Sequence, residues 1–382
     1  MKLSFGMVGG GNGAFIGNVH RRGAYADGLA VLKAGCFSRN PEKNREMAAA
    51  WDVEDPARIY ANYEEMAEAE ARREDGIDFV SIVTPTDTHY AIARCFLEHG
   101  ISVICDKPVC TSTEQGLELQ RIAAEKGLAF GVTYTYASYA VIRQAREMID
   151  RGEIGEILNI IAEYPQDWLI VSTVAKKSEQ AVWRLDPVRA GGSACCADIG
   201  THLEALISQM TGLHLEAVLA RFVHYKGSPM EHDIQVLLRY EKGVPGMMWA
   251  SQIAAGNDCG VRIRVYGDRG SLEWRHTHPM ELLHAPLNQP VRILTANKEY
   301  CYDPCVQQCR LPAGHPEGFY EAFGNIYRAY CLHLLEKKGE TVPGGYRYPT
   351  LEDGIAGLRF TEACMQSAAH GNVWVDLQGQ PE

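Results

Sequence analysis

The sequence predicts an α/β protein built from two architectures in succession. Residues 1–133 read as a doubly wound parallel sheet, and residues 134–382 as a domain of helices and a mostly antiparallel sheet. Three observations predict this. A glycine-rich turn follows a strand-length apolar run near the N-terminus. Strand-like and helix-like segments then alternate, with short connections, as far as Thr133. From Tyr134 onward the alternation stops and period-two apolar patterns take over.

The first strand is Leu3–Val8, and it runs into Gly9-Gly10-Gly11-Asn12-Gly13-Ala14-Phe15-Ile16-Gly17. Strand, glycine turn and helix, in that order, form the context in which such a loop binds a dinucleotide. Gly9 permits the tight turn, Gly11 lets backbone approach a pyrophosphate, and Ala14 is small enough for close helix–strand packing. The helix continuing through Asn18–Arg22 offers free N–H groups to the anion. The motif alone leaves open a flexible glycine loop without a ligand.

Val31–Phe37 is the second strand and ends at Ser38-Arg39. An Asp or Glu there would bind the ribose 2′-hydroxyl of NAD, and neither is present. An Arg39 facing a 2′-phosphate favours NADP, whereas a surface Arg39, or one stacked on adenine, leaves NAD and NADP both open. Pro41–Trp51 is a helix with Asn40 as its cap and Pro41 at its first position. Asn62–Arg73 is a charged surface helix, and Phe79–Val83 is a buried strand stopped by Thr84-Pro85. His89–His99 is helical, Ser102–Cys105 is a strand, and Thr111–Lys126 is a helix in which Thr111/Glu114 and Ser112/Gln115 both fit a capping box. Ala129–Thr133 closes the sheet.

Ligands of doubly wound sheets sit outside the carboxyl ends of the strands. Gly9–Gly13, Ser38-Arg39, Thr84–Thr88 and Asp106-Lys107-Pro108 all fall there. A lysine beside a nicotinamide can donate a hydrogen bond to a substrate oxygen, and Pro108 suits a cis bond. A solvent-facing Lys107 is the alternative.

In the second half, Tyr139–Asp150 is a helix and Ile157–Tyr164 a strand. An irregular stretch, Pro165–Ala197, holds Gln166-Asp167-Trp168 and Trp183-Arg184. Asp198–Thr211 is a helix with Leu203, Leu206, Ile207 and Met210 along one face. Ile234, Val236, Leu238 and Tyr240 form one strand face, and Val261, Ile263 and Val265 another, opposed by Arg262 and Arg264. Helices Glu317–Leu335 and Glu352–His370 and a short strand, Trp374–Leu377, end the chain. Asp198 and His202, four apart, share a face at a helix start. The dipole there pushes a histidine toward its neutral, base-competent form, and a nearby carboxylate pulls it back. The alternative is Asp198 as an N-cap and His202 as a core-edge residue.

A net charge of −11 argues against nucleic acid or an anionic membrane as the partner. No apolar run reaches the roughly 18 residues of a membrane span. The apolar N-terminal run dissolves into glycines, as a first strand does and a signal peptide does not. Of the twelve cysteines, Cys36, Cys95 and Cys105 lie in core-like runs and Cys195-Cys196 are adjacent, which reads as reduced thiols in a cytoplasmic protein. Cys301, Cys305 and Cys309 repeat every four residues and fit no standard zinc or iron–sulfur spacing, and near His202 only Cys195 and Cys196 lie at a matching interval, so no metal is expected.

Together, Gly9–Gly17, Asp106-Lys107-Pro108 and Asp198-x-Gly200-x-His202 resemble the glucose–fructose oxidoreductase / inositol dehydrogenase / MocA (Gfo/Idh/MocA) family over essentially the whole chain. Val83-Thr84-Pro85-Thr86-Asp87-Thr88-His89 and Tyr266-Gly267-Asp268-Arg269-Gly270-Ser271-Leu272-Glu273-Trp274 extend the likeness. The resemblance implies an N-terminal Rossmann doubly wound parallel sheet that binds NAD or NADP. It also implies a C-terminal α+β domain with a large open, mostly antiparallel sheet, which binds substrate and commonly makes homodimers or homotetramers. The implied reaction is oxidation of a secondary alcohol of a sugar, anhydrosugar or cyclitol by hydride transfer. Lys107, Asp198 and His202 match the family's catalytic trio, and Asp106 stands where the family usually has Glu. In this likeness His202 takes the alcohol proton, Lys107 stabilises the charge developing on the same oxygen, and Asp198 orients the substrate or the pair; Lys107 and His202 could exchange roles. Cofactor contacts are implied at Gly9, Gly11, Asn12, Gly13, Ala14, Phe15, Ile16, Ser38, Arg39, Thr84, Pro85, His89, Asp106 and Lys107. Tyr136, Asp167, Trp168, Trp183 and Arg184 join Asp198 and His202 as sugar contacts, since polyhydroxylated rings suit aromatic faces with fixed polar groups. Tyr164-Pro165-Gln166-Asp167-Trp168, Ala181-Val182-Trp183-Arg184 and His315-Pro316-Glu317-Gly318 resemble the levoglucosan dehydrogenase-like subgroup. A redox-cofactor glycosidase on the same fold and a non-catalytic NAD(P)-sensing regulator are the competing readings.

Overall fold

The computed structural model describes residues 2–11, 14–170 and 191–377. The chain divides into two compact units: Met1–Thr135 with Phe319–Ile355, and Tyr136–Gly318 with Ala356–Glu382. The first crossing lies two residues beyond the 133/134 boundary read from the pattern, and residues 319–355 return to the first unit.

In the first unit, five parallel strands run in the order β2-β1-β3-β4-β5. They are β1 Leu3–Gly9, β2 Ala30–Cys36, β3 Phe79–Val83, β4 Ser102–Cys105 and β5 Phe130–Val132. Helices α1 (Phe15–Tyr25), α2 (Pro41–Ala50), α3 (Tyr63–Arg72), α4 (His89–Glu98) and α5 (Thr113–Glu125) connect or flank them. Local signals set the helix starts. Asn40 accepts hydrogen bonds from the N–H groups of Glu42 and Lys43, and Asn62 from that of Glu65. Ser112 caps α5 by accepting from Gln115 N–H at 3.3 Å. Gln115 reaches back one residue further than a capping box requires, to Thr111 N–H at 3.2 Å.

The second unit carries nine strands in the order β13-β12-β11-β10-β6-β9-β8-β7-β14. They are β6 Ile157–Pro165, β7 Leu215–Val223, β8 Asp233–Tyr240, β9 Pro245–Ser251, β10 Arg262–Gly267, β11 Gly270–Arg275, β12 Glu281–Pro286, β13 Arg292–Thr295 and β14 Val375–Asp376. Every pairing is antiparallel except β6 with β9. Helix α6 (Ala140–Asp150) and α7 (Thr201–Thr211) lie in this unit, as does the short α8 (Asp303–Val306).

Helix α9 (Phe319–Lys337) belongs to the first unit, and the chain ends through α10 (Leu351–Ala369). Helix α9 packs against α1 where Gly23 leaves room: a Cβ there would lie 3.1 Å from both Phe323 and Tyr327. Phe5 and Phe79 stack at 5.3 Å beneath them, and Tyr330 meets Phe79 edge-on at the same distance. The twelve cysteines are all free thiols. No helix of the described residues is long and apolar enough to cross a membrane.

Candidate active site

At the carboxyl end of β1 the backbone is packed too closely for side chains. Gly9 has φ +89°, and a Cβ on it would lie 2.7 Å from Val83 O. A Cβ on Gly11 would lie 2.8 Å from Phe37 O, and one on Gly17 only 2.4 Å from Gly10 Cα. Gly17 therefore makes the close helix–strand contact that the sequence assigned to Ala14. Ala14 instead stands exposed at the N-cap of α1, because the helix axis meets the strand one turn further in. That N-cap has no side-chain hydrogen bond, and the first turn has no acidic residue, so the α1 N-terminus keeps its affinity for an anion. A cradle of this form fits a dinucleotide pyrophosphate. Phe15 is exposed and stacks near Phe319 at 6.4 Å, and Ile16 is half-buried. Asn12 and Gly13 lie outside the described residues.

The other strand ends carry the remaining expected cofactor residues. Ser38 Oγ accepts from Asn40 N–H at 3.2 Å, and Arg39 is exposed. Thr84 Oγ1 accepts from Thr88 Oγ1 at 2.7 Å, and Pro85 precedes a 3₁₀ turn over Thr86–Thr88. His89 is buried with Nδ1 2.8 Å from Pro108 O and Nε2 2.7 Å from Thr84 O. Burial lowers its pKa below the ordinary histidine range, against the pull of Asp106 and the two carbonyls. A neutral imidazole carries one N–H, so the tautomer decides which carbonyl receives it. His89 thus ties the end of β3 to the turn at Lys107-Pro108, whose peptide bond is cis. Burial pushes the Asp106 carboxyl up, but His20, Lys107 and Thr133 more than offset it and hold the group well below the usual carboxylate range.

In the second unit, the chain enters a helical run at Cys196, two residues earlier than expected. A π-turn, Cys196–Gly200, precedes α7. Asp198 is therefore no N-cap, and His202 sits inside the run rather than at its free end. The helix start is capped by a residue far away in sequence. Buried Glu231 accepts at one oxygen from Ser193 Oγ (2.6 Å), Ala194 N–H (2.9 Å) and Cys196 N–H (2.9 Å). The π-turn inserts an extra residue per turn ahead of His202, a deformation common at functional sites.

Asp198 Oδ2 accepts from Gln252 Nε2 at 2.8 Å, just beyond the end of β9. His202 is 8% exposed and meets the Tyr136 ring edge-on at 4.9 Å. The Tyr136 hydroxyl lies 2.6 Å from that of Tyr164 and 3.2 Å from Cys259 Sγ, so this expected sugar contact spends its polar end on protein. His276 completes the cluster, with its ring 5.2 Å from that of Tyr136 and Nε2 3.1 Å from Tyr139 Oη. Asp167 Oδ2 accepts from Gly256 N–H at 3.0 Å, and Trp168 is half-buried. Trp183 and Arg184 lie outside the described residues.

Sequence reasoning missed Gln252, Cys259, Glu231 and His276, which occupy loops and strand ends without a motif. Tyr164 carried a signal only in the Tyr164–Trp168 likeness. Among the described residues, no three His, Cys, Asp or Glu side chains are arranged to hold a metal ion.

Residues 3–134 match the model of the oxidoreductase family with an NAD-binding Rossmann fold, and residues 142–273 match that of the GFO/IDH/MocA C-terminal domain. The uncharacterized oxidoreductase YfiI of Bacillus subtilis is 37% identical over 98% of this chain and 97% of its own. Levoglucosan dehydrogenase of Pseudarthrobacter phenanthrenivorans is more distant, at 25% identity over 73% of this chain and 75% of its own. Two crystal structures of an inositol dehydrogenase homologue from Azotobacter vinelandii are similar throughout. One, with NAD+, has TM-score 0.94 and 38% identity, covering 98% of this chain and 97% of that one. The other, with NADH and myo-inositol, has TM-score 0.91 and 36% identity, covering 98% of each.

Proposed function

The chain belongs to the GFO/IDH/MocA family of NAD-binding oxidoreductases, and from this premise we propose that it is an NAD(P)-dependent dehydrogenase oxidising a secondary alcohol of a cyclitol or sugar. Residues 1–133 carry the cofactor in this reading, and residues 134–382 the substrate. The observation that carries it is the setting of Asp198 and His202. A carboxylate oriented by Gln252 shares a helix face with a nearly buried imidazole, walled by Tyr136. The myo-inositol and NADH held by a 36% identical relative support a cyclitol and NAD, while exposed Arg39 at the end of β2, with no acidic residue beside it, supports acceptance of NADP.

The glycine cradle, the N-terminus of α1 and the ends of β2 and β3 would hold the nicotinamide dinucleotide, which supplies the hydride acceptor when bound. His202 receives the alcohol proton. Lys107 donates a hydrogen bond to the same oxygen and stabilises the charge that develops on it; these two roles can be exchanged. Asp198 orients the substrate or the pair. The exposed, partly apolar outer face of the large sheet makes a homodimer or homotetramer, and the twelve free thiols suit a cytoplasmic protein.

A screen of inositols, sugars and anhydrosugars with NAD and with NADP, read as cofactor reduction, tests the reaction. Lys107→Met should keep cofactor affinity and lose about 10²-fold or more in kcat. A variant turning over at the wild-type rate would remove Lys107 from the chemistry.

A further inference from the structure

Helix α1, which starts at the glycine loop, carries His20 on its inward face. The imidazole is fully buried and edge-on to Phe323 at 4.8 Å. Its Nδ1 lies 3.0 Å from Ser81 Oγ and 2.7 Å from Tyr327 Oη, and these hydroxyls are 2.7 Å from each other. Its Nε2 lies 3.7 Å from Asp106 Oδ1, beyond hydrogen-bond reach, and has no hydrogen-bond partner among the described residues. Asp106 Oδ1 also accepts from Thr133 Oγ1 at 2.8 Å. The network therefore joins α1, β3, the end of β4, the end of β5 and α9 at one carboxylate.

With the ring proton on Nε2, Nδ1 accepts from the hydroxyl of Tyr327 or Ser81 and the Nε2–H faces the carboxylate; with the proton on Nδ1, the ring donates to those hydroxyls instead. The Nε2–Oδ1 separation of 3.7 Å sets a fully buried imidazole edge against a carboxylate that is 17% exposed, close enough for an N–H dipole to favour the charged carboxylate. We propose that His20 is a positioning residue for the reaction: it fixes the Asp106 carboxylate, and through it the turn from which Lys107 acts, to the helix that opens at the cofactor loop. This rests on the reading that Lys107 serves the substrate oxygen. The Asp106 carboxyl, held well below the ordinary carboxylate range with His20 among the causes, agrees with that role.

A double-mutant cycle tests it without any substrate. His20→Leu, Asp106→Asn and the double variant are melted beside the wild type. Coupling predicts that the double variant melts higher than His20→Leu alone, because the second change removes the carboxylate that the first left uncompensated. Additive losses overturn the proposal. His20→Gln retains a donor and serves if the leucine variant fails to fold; it should lose less than the leucine variant, and an equal loss counts against the contact. With the wild type active on an inositol, His20→Leu should lower kcat about tenfold and leave the KM for the inositol and the cofactor Kd within about threefold. Coupling in the melts with kcat unmoved would make His20 structural only and overturn the positioning role. If the wild type reduces neither cofactor with any polyol, the dehydrogenase reading fails and the positioning role falls with it, while the cycle still reports whether His20 and Asp106 are coupled.

Discussion

At the residue scale, Asp106 shows how burial and neighbours divide the work on one carboxyl. Desolvation alone would raise its pKa, and the facing His20, Lys107 and Thr133 reverse the sign. A folded-state pKa below the unfolded value gives stability that is present above the unfolded value of about 4 and drains as pH falls through the folded one. The stability difference between wild type and Asp106→Asn should therefore be constant from pH 8 to about 5 and shrink between about pH 4 and 2. Melting curves across that range check it, and parallel curves would mean that Asp106 titrates like an unfolded carboxylate. The residue types of the candidate site were legible in this way: Lys107, Asp198 and His202 stood out by chemistry and spacing. Their settings were not. Gln252 orients Asp198 across 54 positions of sequence, and Glu231 caps the Asp198 helix from 35 to 38 positions away.

At the element scale, the first unit follows its local signals closely. Asn40, Asn62 and Ser112 cap the helices they precede, since a short polar side chain satisfies the free N–H groups of the next turn wherever it occurs. The glycine loop is subtler. The third small position belongs to Gly17, whose backbone lies against Gly10. Gly17→Ala should force β1 and α1 apart, weakening dinucleotide binding about tenfold or more and lowering the melting temperature by several degrees. Ala14→Ser, at an exposed N-cap, should leave the melting temperature unchanged or higher. Equal effects from the two, in melting and in NAD titration, would show that Gly17 does not set the approach. The helix bearing His202 departs from its expected start because a π-turn has no signature in hydrophobic periodicity.

At the scale of the whole molecule, one face of the large sheet exposes apolar side chains along β8 and β9. Leu237, Met247 and Trp249 are 43%, 51% and 37% exposed, and the register places Leu237 and Ile161 on either side of Met247. Beyond β6 in the strand order, Arg264 of β10 pairs with Glu163 of β6, and Arg262 of β10 with Glu273 of β11. An apolar patch set among paired charges suits a second copy of the chain. Met247→Asp should shift the sedimentation or light-scattering mass toward the monomer at micromolar concentration, and an unchanged mass would place any interface elsewhere. By itself the sequence determined the succession of a doubly wound sheet and an antiparallel one, the glycine loop, the helix caps and the reactive residue types. These rest on contacts within a few residues, where period, turn chemistry and capping act directly. Only the tertiary structure decided that α9 returns to the first unit to bury Tyr327 against His20, that Gly17 rather than Ala14 makes the close approach, and that Tyr136 gives its hydroxyl to Tyr164 and Cys259. Those outcomes depend on the close packing of side chains up to 307 positions apart, which no local pattern encodes.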